Sequence, residues 1–433
     1  MRKQRSIAVG AAVAAVALAL TGCSGNNDGG SAGGGDGKSL TVWLMQDTLT
    51  EASQKAVVDQ FQAQTGATVK VEIQQWDNIN TKLTTALATD NPPDVVEIGN
   101  TDVPLFAANG ALADLTSDKK DLEGSNTWLK GLEGPATVDG KLYAAPFYAG
   151  TRSVIYNMDM WSKAGVTAAP KSYTELLTDL DKVKATNSAA DFSAFYLPGT
   201  YWYNALSFLY DAGGALAQQS GSNWKGQLET SQSQQGLQDF KDFENKYSTS
   251  ASRTAPMDTP NPTDLFATGK TATVMGNGNA VKTIEQSNPK LVGHVGSFPF
   301  PSKADPGKNM PNFLGGSDIA IATKSKNPKL ALQFVKFIGS DDIQVKQVAE
   351  ASGHVPVSDQ LIEQVVKTLP DDLKSFYEGA KLSISTPATP GWATIESDAS
   401  VTDFFSQIAA GTKTPQQAGA DFDKHLNDAL NAS

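Results

Sequence analysis

The first sixty residues beyond an N-terminal leader constrain the fold most, because strand-like and helix-like runs alternate there with little between them. Ser39 to Leu44, SLTVWL, is β-branched and aromatic enough for a buried strand, and Thr68 to Ile73 and Asp94 to Ile98 read the same way. Between them, Leu49, Ala52, Ala56, Val57 and Phe61 share one helical face that stops before Gly66. Ile79, Leu83, Ala86 and Leu87 form a second face, ended by Asn91-Pro92-Pro93. Strand, helix, strand, helix, strand predicts a parallel α/β sheet, whose ligands bind outside the carboxyl ends of the strands. That rule singles out three loops: Met45-Gln46-Asp47, Gln74-Gln75-Trp76 and Gly99-Asn100-Thr101-Asp102. Their carboxylates, amides, hydroxyl and indole suit a ligand rich in hydroxyls, with Asp47, Trp76, Asn100 and Asp102 as candidates. Asn78 and Asp102 fit helix N-caps equally well.

The leader places the protein. Arg2, Lys3 and Arg5 precede an apolar run from Ile7 to Leu20, which is shorter than a comfortable membrane span and ends in Leu20-Thr21-Gly22-Cys23. This resembles a bacterial lipobox. The expectation is a signal peptide over residues 1–22, with Cys23 lipidated and the protein held on the extracellular face of the cytoplasmic membrane. Residues 24–38 are mostly Gly, Ser, Asn and Asp with no apolar side chain larger than alanine, so 23–38 is a flexible tether reaching on the order of 20 Å. The single cysteine excludes an internal disulfide, and a formal charge of −11 argues against nucleic acid or an anionic lipid surface as the main partner. Contact with the membrane is expected through the lipid alone.

Further along, Asp139 to Asn157, DGKLYAAPFYAGTRSVIYN, sets two strand-like runs, Leu142 to Pro146 and Ser153 to Tyr156, around an aromatic and glycine junction. It reads as a hinge beside a polar ligand, with Gly150 as the flexible point and Tyr148 as a ligand contact. Arg152 is either a pocket group or a salt-bridge donor between two lobes. Tyr201, Trp202 and Tyr203 open a helix together. Three consecutive aromatics cannot all face inward from a helix, so at least one should meet solvent or ligand. Gly276-Asn277-Gly278-Asn279 follows a strand at Thr271 to Met275, and Gly315-Gly316-Ser317 precedes one at Asp318 to Ala322. Phe266 to Thr271 ends in GKT, but Asp264 stands where a phosphate loop needs glycine, so that reading is rejected.

Catalytic patterns are missing. The three histidines lie far apart, no Cys/His spacing suits zinc, and no GxSxG elbow occurs. No metal or cofactor is expected. A cell-surface polysaccharide hydrolase stays open as an alternative, because 46 acidic residues leave room for a carboxylate pair.

Taken together, VWLMQDT, NPPDVVEIGN, GALADLT, DGKLYAAPFYAGTRSVIYNMDMWSKAGV, FATGKTATVMGNG, GGSDIAIATKSKNPKLALQFVKFI, GHVPV and TPATPGW resemble, in order and spacing, the carbohydrate-specific bacterial extracellular solute-binding proteins, the lipoprotein receptors of ABC importers. The resemblance implies an α/β, two-lobed periplasmic-binding-protein-like fold in which each lobe is a central sheet flanked by helices. Three crossings would join the lobes, near Tyr148 to Arg152, Phe298 to Ser302 and Ala351 to Pro356. One lobe would hold residues 39–149 and 301–350, the other 152–298 and 354–433. It further implies a monomer that binds a mono- or oligosaccharide and hands it to permease subunits, with no enzymatic activity. The sugar contacts it suggests are Asp47, Trp76, Asn100, Asp102, Tyr148, Trp202, the loop with Asn277 and Asn279, Gly316, Ser317 and Trp392, beside Arg152 and Tyr201. Many members carry a stacking tryptophan where this sequence has Asn279. A receptor for a non-sugar solute is the remaining alternative.

Overall fold

The computed structural model describes residues 38–432 apart from Asp77 and Ser222. The leader, Cys23 and most of the tether lie outside the described residues. Eight strands build the two larger sheets: β1 (Ser39–Met45), β2 (Thr68–Gln74), β3 (Val95–Gly99), β4 (Ala144–Gly150), β5 (Ser153–Asn157), β6 (Thr273–Gly276), β7 (Val295–Phe298) and β8 (Gly315–Ile321). The first sheet has the order β2-β1-β3-β8-β4 and the second β6-β5-β7.

The expected alternation is present. β1 lies parallel to both β2 and β3, and the connecting helices are α1 (Glu51–Thr65) and α2 (Ile79–Ala88). Gly66, at φ 70°, closes α1 with its amide on the Gln62 carbonyl. The sheet is mixed rather than wholly parallel, since β8 runs antiparallel to both β3 and β4. Its buried residues Val42, Leu44, Val95, Val96, Ile98 and Ile319 anchor a core in which Phe61 of α1 meets Phe334 edge to face, with ring centroids 5.1 Å apart. A second core gathers around Val154, Trp161, Phe195, Phe208, Phe243 and Phe300.

The junction is more ordered than its sequence predicts. β4 continues through Phe147, Tyr148 and Ala149, and Gly150 pairs with Gly315, so only Thr151 and Arg152 stand between β4 and β5. Gly150 is therefore not a free swivel but the last rung of a ladder. Two expected boundaries also shift. Met310 and Phe313, expected with the first lobe, pack in the second core. Val355, Val357, Leu361, Ile362 and Val365, expected with the second, pack in the first, where Ala149 and Val355 bridge and the Leu129 amide donates to the Val357 carbonyl. The chain reaches the second sheet again only with the helix Asp371–Gly379, where Ser375 and Ser297 hydroxyls meet at 2.7 Å. Among the described residues no helix is long and apolar enough to cross a membrane.

Candidate functional site

Where the two sheets face each other lies a cleft of about 1220 Å³. One wall is made by the first sheet. β3 ends at Gly99, and the turn Asn100–Asp102 follows at once. Asn100 is buried, and its amide donates to the Leu314 carbonyl (3.0 Å), which ties this turn to the start of β8. Neither Asp102 nor Asn78 caps a helix with its side chain. Instead Asp102 lines the cleft and accepts from Asn80 Nδ2 (2.9 Å), and burial pushes its carboxyl up to about 6. Trp76 stands beside it on the rim, 44% exposed.

Tyr148 is the centre of this wall. Its ring lies 4.2 Å from the His354 ring at an interplanar angle of 31°, and its oxygen accepts from the Ser317 hydroxyl (3.2 Å). Gly316 must be glycine. Its φ is 133°, and a Cβ there would stand 2.1 Å from the Tyr148 carbonyl oxygen. Behind Tyr148, the fully buried Glu97 accepts from the Met45 amide and the Thr48 hydroxyl, both at 2.8 Å, while burial pushes its carboxyl up to about 7.

The opposite wall is aromatic. Helix α3 (Trp202–Asp211) begins with Trp202 packed on Tyr203 (4.2 Å) and Phe313 (5.0 Å), and Tyr203 stacks on Phe313 at 5.2 Å and 22°. The Arg152 guanidinium sits over the Tyr203 ring, Cζ to centroid 4.0 Å, while its Nε donates to the Tyr201 oxygen (2.8 Å). Among the described residues Arg152 forms no ion pair, so it is a group of the cleft wall and not a bridge between lobes. Asn277 and Asn279 open helix α4 (Gly278–Ser287), with Asn277 spending its side-chain oxygen on the Ala280 amide (3.1 Å). Glu396 completes this wall from helix α5 (Gly391–Ser397). It accepts from the Thr101 hydroxyl across the cleft (3.2 Å), and burial, then the Asp102 charge, push it up to about 7.

Nine of the expected contacts therefore line one cleft: Trp76, Asn100, Asp102, Tyr148, Arg152, Trp202, Asn277, Asn279 and Gly316. Four do not. Asp47 sits in a left-handed turn (φ 64°) with its side chain exposed, and only its carbonyl meets His354. Ser317 is fully buried behind Tyr148, and Tyr201 props Arg152 from the side. Trp392 is wholly buried, packed edge to face on Trp202 at 5.8 Å. Gly391 explains its position, because a Cβ there would lie 2.0 Å from the Ala429 carbonyl oxygen, so α5 is pressed against the C-terminal helix α6 (Pro415–Leu430) and Trp392 turns inward. Glu396, Tyr203, Phe313 and His354 were not anticipated. For Glu396 the available signal was its place four residues after Trp392, one helical turn along.

Two sheets around a polar and aromatic cleft define a receptor architecture, and the chain belongs to the bacterial extracellular solute-binding proteins, whose family pattern matches residues 56–374. Among its relatives, the diacetylchitobiose binding protein DasA of Streptomyces coelicolor is 34% identical over 437 residues, covering 99% of each chain. Two solved structures show the same two-lobed fold. The sugar-binding protein MalE of Xanthomonas citri matches with a TM-score of 0.77 at 20% identity, over 91% of this chain and 97% of that one. A solute-binding protein from Thermotoga lettingae bound with α-D-tagatose matches with a TM-score of 0.72 at 24% identity, over 91% of this chain and 100% of that one.

Proposed function

We propose that this protein is an extracellular receptor, anchored through a lipid on Cys23, that captures a mono- or oligosaccharide between its lobes and delivers it as a monomer to an ABC-type permease. The observation that carries the reading is the composition of the cleft. The exposed Trp76 ring and the partly exposed Tyr203 ring offer surface for sugar C–H groups, and Asp102, Glu396 and Asn279 offer acceptors and donors for hydroxyls. The diacetylchitobiose in one relative's name supports a saccharide. On this reading residues up to Gly150 with Gly315 to Val365 move as one body against most of the remainder. Closing the two excludes water and strengthens each polar contact.

A thermal-shift panel of mono- and disaccharides tests this directly. One member at 100 times its Kd should stabilise the protein by about 2.7 kcal/mol. A broad panel without any shift sinks the saccharide reading. A hydrolase has one observation in its favour, the Asp102 and Glu396 carboxyls facing one cleft. Release of reducing ends from chitin or glucan fragments on long incubation is the outcome that would select it, whereas a receptor returns its ligand intact.

A further inference from the structure

We infer that Arg152 makes this cleft selective for acetamido sugars, its guanidinium donating to the acetyl carbonyl oxygen while the acetyl methyl lies against the exposed part of the Tyr203 ring. The inference rests on the saccharide reading of the cleft and names the sugar class within it.

The guanidinium is held but not satisfied. Its Nε is committed to Tyr201 and its plane to Tyr203, which fixes the orientation of the planar fork. No described residue accepts from its two Nη groups. Two carboxyls of the cleft hold partners of their own, Asp102 Oδ1 taking Asn80 and Glu396 Oε2 taking Thr101. A positioned cation, donor on every edge, thus faces the ligand space with its protein partners withheld. Arg152 and Glu396 both act on the Tyr203 phenol, so cation, ring and carboxyl form one neighbourhood.

That neighbourhood has the three parts an acetamido group needs. Its carbonyl accepts but never donates, which suits an arginine fork. Its methyl requires an apolar surface, which the Tyr203 ring supplies where it is partly exposed in the cleft. Its N–H requires an acceptor, which the Glu396 carboxyl offers. A ring hydroxyl both donates and accepts, and the amides and carboxyls already present serve it without an arginine. A ligand carboxylate would pair with Arg152 but would also meet Asp102 and Glu396, two acids of its own sign once ionised.

Titration calorimetry with diacetylchitobiose and cellobiose tests the assignment, because the two share linkage and ring configuration and differ at the 2-substituents. The wild-type protein should prefer diacetylchitobiose by about 10- to 100-fold, the range of one well-placed charged hydrogen bond. Arg152→Met should shrink that preference by about 10-fold or more while changing cellobiose affinity less than about 3-fold. Arg152→Lys, which keeps the charge and loses the fork, should fall between. Equal losses for both sugars in the variants overturn the inference, since they mark Arg152 as a prop for the tyrosines. So does a wild-type protein that binds saccharides with no acetamido preference, or that prefers a glucuronic acid disaccharide. Should Arg152→Met fail to melt as a folded protein, the Arg152→Lys ratio and the wild-type ratio decide alone. A wild type that binds no saccharide at all sinks the saccharide reading as well, which separates that failure from failure of the acetamido assignment.

Discussion

The two walls of the cleft are built on different principles. The wall from the first sheet is a set of strand ends: Asn100 and Asp102 follow β3 directly, Trp76 follows β2, and Tyr148 sits in β4 opposite Ser317 of β8. Asn100 and Tyr148 are held by hydrogen bonds to Leu314 and Ser317, and Asp102 by one from Asn80 of α2. The opposite wall is an aromatic stack assembled from residues 152, 201–203, 313 and 396, which are far apart in the chain. In the first wall binding groups are decorations on a stable frame. In the second, the rings that line the cleft are also part of the frame.

The largest test of that contrast compares two tryptophans. Trp202→Ala should cost about 3–5 kcal/mol of folding stability in denaturant melts, since Trp202 is 3% exposed and packs on three other rings. Trp76→Ala, on the exposed rim, should leave stability within about 0.5 kcal/mol and weaken ligand binding by about 1–3 kcal/mol. If Trp202→Ala leaves the melt unchanged, the two walls do not differ as described.

A smaller effect concerns the acids, one from each wall. Asp102 is raised to about 6 from 3.8 and Glu396 to about 7 from 4.5, mainly by burial. An unfolded chain gives up these protons at lower pH than the folded one does. The stability tied to them is therefore full below about pH 4 and is lost as pH rises through 6 to 7. The ligand-free melting temperature should carry that decline, and Asp102→Asn or Glu396→Gln should each flatten it. The double variant should flatten it by less than the two single effects added, because the Asp102 charge is one cause of the Glu396 shift. Strict additivity would show that the walls do not sense each other.

The smallest expected effect is at Asn279. It is exposed where it lines the cleft, so Asn279→Ala should change stability by no more than about 0.5 kcal/mol and affinity by about 1 kcal/mol or less. A larger loss would move weight from the aromatic stack to this loop.

This contrast also governs what the sequence made legible. Strand-end loops follow from periodicity, because the hydrophobic runs locate the strands and the sheet rule locates the ligand, and Trp76, Asn100 and Asp102 were found that way. Asp47 failed because a turn with positive φ carried its side chain away after β1 had ended. The aromatic wall was legible only in part. A cluster at residues 201–203 announces that some ring meets the cleft, but pattern alone does not tell Trp202 from Tyr203. Trp392 and Glu396 lie on one seven-residue helix, too short for periodicity to assign faces. Trp392 came out opposite to expectation, packed inside, while the unanticipated Glu396 lies in the cleft, because the contact between Gly391 and Ala429 turns that helix.

The link between β4 and β5 is two residues long, and that brevity has a mechanical consequence. Strand ladders stiffen the chain on both sides, so any swing of one sheet against the other that passes through this link must be taken up by the few backbone torsions of Thr151 and Arg152. Arg152 thus stands in the link itself and also lines the cleft, so on the proposed reading a molecule that engages its guanidinium pulls at the pivot and not through a lever arm.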